Sequence, residues 1–375
     1  MGILGCCGKF CLVLTVAVAL GLGWLTAQEH PLGYVFSSVY KIWGYNQPKT
    51  VAVPDDQKPE PRPQGEMFLT LLGHGDQMPM NGLGMCCRPT AYDDESVYNT
   101  VLWYFLQGGR LIDTAALYLN HKPIGKAIKE AIKRGVPRSE MFITTKVPGE
   151  SFGYESITKK VPQMLKELDL DYLDLVLMHA PRKLGPGLLW SLKFPGESDE
   201  FSSQSCKNQV QCRKETWQGL SEAREKGLVR NVGVSNFKIN HLQEIEALNL
   251  APIAVNQIQY HPWAPEWLKE TIEYCHQKKI AVTGYFSLGG AQTKDKAMEQ
   301  QALNDIAKVH NRRTAQILLR WSLQKNVSII PGTGKPPHMK ENLATYGFEL
   351  TDEQMKTIDG MSSLPISDDF FFFDI

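Results

Sequence analysis

From Glu66 onward the chain alternates short, continuously apolar runs with stretches whose apolar residues recur every three or four positions. The first pattern belongs to strands covered on both faces, the second to amphipathic helices. "MFLTLLGHGDQMPM" predicts a hairpin turning at Gly73–Asp76, and "NGLGMCC" a short strand. A helix is expected over Asp94–Gln107, with Val97, Val101 and Phe105 on one face and Gly108–Gly109 to end it. The unit then recurs. "RLID" precedes a helix carrying Ile124, Ile128 and Ile132. "MFITTK" precedes one carrying Ile157, Val161, Leu165 and Leu168, in which Pro162 should produce a kink. "LDLVLMH" leads to a helix around Trp217 and Leu220 that closes at Gly227. "VRNVGVS" leads to Leu242, Ile245 and Leu248, and "IAVNQIQ" to Leu268, Ile272 and Cys275. "IAVTGY" leads to Ile306 and Val309 and then to a capped helix from Thr314; "VSIIPGT" leads to a last helix near His338–Tyr346.

Eight strand–helix units in about 300 residues have the size and rhythm of a (β/α)8 barrel. A doubly wound open sheet is the competing fold. It needs a Gly-rich phosphate turn after its first strand, and "GLGMCC" lacks the GxGxxG spacing. The expected architecture is therefore α/β: a (β/α)8 TIM barrel with an N-terminal β-hairpin over residues 66–363, followed by a tail, 364–375.

The first 65 residues read differently. Phe10–Ala27 is an uncharged, mostly apolar stretch of 18 residues, about the minimum for a membrane span. Lys9 precedes it and Trp24 suits an interface. Residues 1–27 are read as an uncleaved single-pass anchor placing the barrel in the endomembrane or secretory system. A cleaved signal peptide ending at Leu25-Thr26-Ala27 is the rival, and palmitoylation of Cys6, Cys7 or Cys11 a third reading. The charge difference across the span favours a lumenal or extracellular barrel by a single lysine. Residues 28–65 form a linker, aromatic at first and then proline-rich.

Composition narrows the function classes. The 375 residues carry 40 basic and 40 acidic side chains, so no net charge points to nucleic acid. No Cys/His spacing resembles a zinc site. Cys206 and Cys212 share a polar loop and could pair in an oxidising compartment, and Asn326-Val327-Ser328 is a glycosylation sequon.

Barrel chemistry gathers at the C-terminal ends of the strands. Read in order, those ends are Asp113, Lys146, His179, Ser235–Asn236, Gln257, Tyr285 and Gly332–Thr333, with Tyr118 five residues past Asp113. One polar strand end is what stopping a strand requires. A ring of them is not.

The runs "LIDTAALY", "ITTK", "LVLMH", "GLVRNVGVSNF", "VNQIQYHP" and "GYFSLGG" resemble the aldo-keto reductases, from about Glu66 to Ser363. The resemblance implies a monomeric barrel that binds NADP(H) in extended form and reduces small-molecule carbonyls without metal. It places the catalytic tetrad on Asp113, Tyr118, Lys146 and His179. In that arrangement Tyr118 is the proton donor, and the Lys146 ammonium is expected to lower its pKa. Asp113 holds Lys146, and His179 orients the carbonyl oxygen. The resemblance also assigns Ser235, Asn236 and Gln257 to the nicotinamide carboxamide, Tyr285 to the nicotinamide ring, and Leu288, Gly332, Thr333, Lys335, His338 and Asn342 to the rest of the cofactor.

Departures from the family pattern are informative. Ala180 stands where a Trp usually follows the catalytic His, and Phe286-Ser287 alters the "YSPLG" run. In "IIPGTGKPPHMKEN", Gly332 replaces the usual Lys, Thr333 the Ser and His338 the Arg that grip the adenosine 2′-phosphate. Lys335 and Lys340 are near enough to supply another cation, so NADP(H) is expected with weakened discrimination, and NAD(H) is expected to be accepted too. Substrate contacts are expected from Leu188, Leu189, Trp190 or Phe194 and from the tail "DDFFFFDI". An anchored, cofactor-sensing or scaffolding barrel is the alternative from another class, but a decayed enzyme would be expected to lose tetrad members. A barrel hydrolase or isomerase would need paired carboxylates or metal ligands at the strand ends.

Overall fold

The hairpin forms where its turn residues place it. Strand β1 (Phe68–Thr70) pairs antiparallel with β2 (Gln77–Pro79), Leu69 opposite Met78. Both face inward, and with Leu71 and Met80 they pack against Leu111, Phe142, Val255 and Ala281, the first residues of four barrel strands. The hairpin is thus an apolar plug over the N-terminal end of the barrel. The structure is a computed structural model that describes residues 49–182 and 206–361. The anchor stretch, most of the aromatic half of the linker, the residues Leu188, Leu189, Trp190 and Phe194, and the tail lie outside the described residues.

The barrel strands are β3 (Gly82–Gly84), β4 (Leu111–Asp113), β5 (Phe142–Val147), β6 (Leu173–Met178), β7 (Val229–Ser235), β8 (Val255–Gln259), β9 (Ala281–Tyr285) and β10 (Val327–Ile329). They stand side by side in chain order, every pair parallel. A bridge between Asn81 and Ile329, in which the Ile329 N–H donates to the Met80 carbonyl at 2.7 Å, joins last strand to first.

Helices α1 (Asp94–Leu106), α2 (His121–Lys133), α3 (Tyr154–Leu168), α4 (Gln209–Glu225), α5 (Ile239–Glu246) and α6 (Glu266–Gln277) follow the strands in turn. After β9 come α7 (Gly290–Met298), α8 (Gln301–Val309) and α9 (Thr314–Gln324), and after β10 come α10 (Pro336–Leu343) and α11 (Asp352–Asp359). Local chemistry explains the ends. Asp93 accepts from the Ser96 N–H at the start of α1, and Gly108, at φ 91°, lets the chain turn away from its end.

Four expectations need correcting. Helices α7 and α11 are not in the sequence reading: α7 is short and polar, and α11 lies past the last strand–helix unit. Ile132 and Val309, expected on buried faces, are 40% and 75% exposed. Ile132 is the penultimate residue of α2, where Ala131 and the following Val136 fill the core instead, and Val309 is the last residue of α8.

The pleat positions the chemistry. Outward-facing Ile112, Ile143, Val147, Val176, Met178, Val232, Val234, Ile258 and Val282 join the helices in the main core. Inward positions alternate with these, apolar at the bottom and polar at the top. Leu111 is followed two residues on by Asp113, and Phe142 by Thr144 and Lys146. Likewise Leu175 and Leu177 precede His179, Val255 precedes Gln257, and Ala281 precedes Thr283 and Tyr285. On β7 the inward position is Gly233, where a Cβ would meet the Val255 carbonyl at 2.5 Å and Leu177 Cδ2 at 2.8 Å. The bottom of the barrel is too full for a side chain there.

Candidate active site

Asp113 and Lys146 meet at the top of β4 and β5, Nζ to Oδ1 2.6 Å, at 3% and 1% exposure. The ammonium also donates to the Thr114 carbonyl at 3.0 Å. The second carboxylate oxygen of Asp113 accepts from Gln257 Nε2 at 2.7 Å. Both oxygens are engaged, which compensates the desolvation of a buried carboxylate.

Tyr118 closes a single 3-10 turn, Ala116–Tyr118, and Leu119 then reverses the chain at φ 53°. Its ring centroid lies 5.2 Å from Lys146 Nζ and 5.6 Å from the His179 ring, the two rings edge to face at 80°. All four tetrad candidates are therefore gathered at one mouth. Asn120, which sequence reasoning passed over, secures this loop. It accepts from Thr114 Oγ1 at 2.6 Å and donates to the carbonyls of Met85 at 2.8 Å and Ala91 at 3.1 Å. Its only sequence signal is an asparagine two residues past the tyrosine.

The electrostatics revise one expectation. Tyr118 is pushed well above the usual phenol range, by burial first and then by the negative charge of Asp113; it is not lowered by Lys146. Lys146 is itself lowered by burial, against the pull of Asp113, which sits on the ammonium at 2.6 Å and offsets its field at the phenol. His179 is pushed down to about 3, by burial and then by the Lys146 charge, so its imidazole is neutral at physiological pH.

The cofactor candidates form a linked set. Ser235 Oγ donates to the Gln257 carbonyl at 2.9 Å, and Asn236 Nδ2 donates to Ser235 Oγ at 3.0 Å and to the His179 carbonyl at 3.1 Å. Tyr285 Oη donates to Asn236 Oδ1 at 2.8 Å. Asn236 adopts φ 64°, a left-handed conformation that Asn tolerates better than most residues. Gln257, assigned from sequence to a carboxamide, has its Nε2 on Asp113 and so links the two halves of the site. Leu288 packs beside both apolar clusters.

Gly332 and Thr333 follow β10, Lys335 is the N-cap of α10, and His338 and Asn342 lie on that helix. Asn342 contributes its carbonyl, which accepts from Asn81 Nδ2 at 2.7 Å. Lys340 is committed elsewhere, to Glu60 at 3.0 Å. Arg88, in the loop after β3, stands against Gly332 and was missed from sequence, because a lone arginine in a loop carries no pattern.

Residues 80–363 match the aldo/keto reductase family. This chain belongs to that family. It is 34% identical over 292 residues to a glyoxal reductase of Bacillus subtilis, covering 78% of this chain and 91% of that one. It is also 34% identical over 301 residues to bovine aldo-keto reductase family 1 member A1, covering 78% and 88%. Among solved structures, a Bombyx mori aldo-keto reductase in complex with NADP superposes with a TM-score of 0.68 at 26% identity, covering 79% of this chain and 92% of that one. The chain is accordingly an oxidoreductase of a family that reduces carbonyl groups with nicotinamide cofactors. The donor set fits such a group: amides and a hydroxyl at the tops of β7 and β8 suit a carboxamide, and an arginine beside Gly332 suits a phosphate.

Proposed function

We propose that this protein is an NAD(P)H-dependent carbonyl reductase in which Tyr118 protonates the nascent alkoxide. The observation that carries the reading is the buried Asp113–Lys146 pair standing beside Tyr118 and a neutral His179 at the open end of the barrel. The nicotinamide, when bound, supplies hydride to the carbonyl carbon.

The protein's own groups do the rest. His179, uncharged because of its burial, presents an N–H to the carbonyl oxygen and orients it. The raised pKa of Tyr118 keeps its proton in place through neutral pH, so the acid is loaded before reaction. As negative charge develops on the substrate oxygen, the proton moves from Oη to that oxygen. The phenolate left behind faces the Lys146 ammonium, which Asp113 and the Thr114 carbonyl hold in position. Ser235, Asn236, Gln257, Tyr285, Leu288, Gly332, Thr333, Lys335, His338 and Asn342 hold the cofactor in this reading, NADP(H) preferred and NAD(H) accepted. The intact tetrad supports turnover over a purely cofactor-sensing role.

The substrate is a small aldehyde or ketone, and the barrel acts as a monomer. Residues 1–27 anchor it to a membrane through the apolar stretch Phe10–Ala27, residues 28–65 are the linker, 66–363 the barrel and 364–375 the tail. A barrel on the lumenal or extracellular side agrees with the Cys206–Cys212 disulfide, whose Cα atoms are 5.2 Å apart. Among the described residues no helix is long and apolar enough to cross a membrane, so the anchoring rests on that N-terminal stretch. The deciding experiment is a panel of aldehydes and ketones with NADPH and NADH, run on wild type and Tyr118→Phe. NADPH-dependent turnover that the substitution removes supports the reading, and turnover that survives it refutes the role of Tyr118.

A further inference from the structure

Position 332 carries no side chain, and the neighbouring loop after β3 closes over it. A Cβ built there would meet Arg88 Nη1 at 2.7 Å and the Gly84 carbonyl at 3.1 Å. The guanidinium occupies the volume that a side chain at 332 would enter. Two residues on, a Cβ at Gly334 would meet Thr90 Oγ1 at 2.7 Å and Thr50 Oγ1 at 2.9 Å. The 332–334 segment is therefore packed directly on the loop that carries Arg88.

Among the described residues, the groups that Arg88 contacts are neutral. Nη1 donates to the carbonyls of Gly84 at 2.6 Å and Cys86 at 3.4 Å, Nε to Thr90 Oγ1 at 3.2 Å, and Nη2 lies 3.4 Å from the Met85 sulfur. Among the described residues its hydrogen-bond partners include no carboxylate. Burial lowers its pKa to about 10, which leaves it charged at neutral pH. A partly desolvated cation whose described partners are all neutral is costly to maintain. Its planar fork is the shape that binds phosphate oxygens in pairs.

We propose that Arg88 is the phosphate anchor of this barrel's dinucleotide site, delivering from the loop after β3 the positive charge that Gly332 lacks. A lysine at 332 and an arginine at 88 would compete for one space. The inference rests on the cofactor reading above. Two phosphate sources share the chemistry, the adenosine 2′-phosphate and the pyrophosphate, and the affinities for two cofactors separate them.

The test is equilibrium binding rather than turnover. Quenching of tryptophan fluorescence would give Kd for NADP+ and NAD+ with the full-length protein, as wild type, Arg88→Ala, Gly332→Lys and the Arg88→Ala/Gly332→Lys double variant. Arg88→Ala should weaken NADP+ at least about tenfold, the loss expected for one charge-assisted hydrogen bond. A loss confined to NADP+ places the contact at the 2′-phosphate, an equal loss for NAD+ places it at the pyrophosphate, and either upholds the proposal. Gly332→Lys should restore most of the affinity in the Arg88→Ala background but add none alone, because Arg88 fills its space. A loss in Arg88→Ala that Gly332→Lys does not repair would show that Arg88 only supports the loop, and affinities unchanged within twofold would dismiss it entirely. If wild type binds neither dinucleotide, the cofactor reading falls and this proposal with it, an outcome distinct from wild-type binding that ignores position 88.

Discussion

Lys146 and Asp113 are bound at 2.6 Å in a site nearly closed to water, and Gln257 holds the opposite carboxylate oxygen at 2.7 Å. Removing one partner of such a pair leaves the other charge buried and unpaired, which costs about 3–5 kcal/mol. Asp113→Asn should therefore lower the thermal midpoint measurably. Lys146→Met, which replaces the ammonium by a thioether of similar length but leaves Asp113 unpaired, should also destabilise, and it should abolish carbonyl reduction. Calorimetry alongside turnover checks both, and an Asp113→Asn protein as stable as wild type would refute the pair's structural importance.

Tyr118→Phe deletes a hydroxyl from a largely buried ring whose fold contacts remain. Turnover should fall by about 10²–10⁴, the usual contribution of a positioned acid. NADP+ affinity, read by fluorescence quenching, should change less than about threefold, since general-acid catalysis lowers the barrier and adds nothing to ground-state cofactor binding. Because the phenol is raised above its ordinary range, the wild-type reduction rate should also stay level from pH 7 to pH 9. A fall in kcat within that window would contradict a loaded phenol.

Two buried histidines set the acid limb of stability. His179 and His261 are both depressed to about 3 by burial, below the unfolded value of about 6.5. The unfolded chain therefore binds protons that the folded chain refuses. Stability is full above about pH 6.5 and is lost progressively as pH falls from there toward 3, by about 1.4 kcal/mol per unit for each histidine. His261 Nε2 accepts from Gln259 Nε2 at 2.8 Å. His261→Gln should make the decline of the thermal midpoint between pH 6.5 and 5 shallower, and an unaltered slope would count against this source.

His338 stands on α10 where the family usually has an arginine. His338→Arg should raise the NADPH-over-NADH ratio of kcat/KM at least about tenfold by adding one charge-assisted hydrogen bond to the 2′-phosphate. A wild-type preference beyond about a thousandfold that His338→Arg leaves unchanged would mean that cations elsewhere already saturate the site.

The N-terminal stretch predicts that the full-length protein pellets with membranes and resists alkaline carbonate, whereas a chain starting at Glu66 stays in the supernatant. If the barrel enters the secretory lumen, the sequon at Asn326, an exposed residue leading into β10, should be glycosylated and give a mobility shift with an endoglycosidase. Full-length protein wholly in the cytosolic fraction would rule out the anchor.

The sequence alone determined the eight-unit rhythm, the hairpin, and the residues Asp113, Lys146, His179, Ser235, Gln257 and Tyr285 at the strand ends. Those are local facts. A period of two fixes which strand residues share a face, and an apolar run that stops at a polar residue marks where that face meets the mouth. The tertiary structure alone decided how these groups hold one another: that Gln257 binds Asp113, that Asn120 ties the Tyr118 loop to the loop after β3, and that Arg88 fills the space beside Gly332. It also reversed the expected shift of Tyr118, because the Lys146 charge that was to lower the phenol is paired with Asp113 while burial acts on all three groups. These contacts join residues from 29 positions apart, Ala91 with Asn120, to 244 apart, Arg88 with Gly332. A repeating pattern along the chain carries no record of such pairings, since they arise only when the closed sheet brings distant loops to the same mouth.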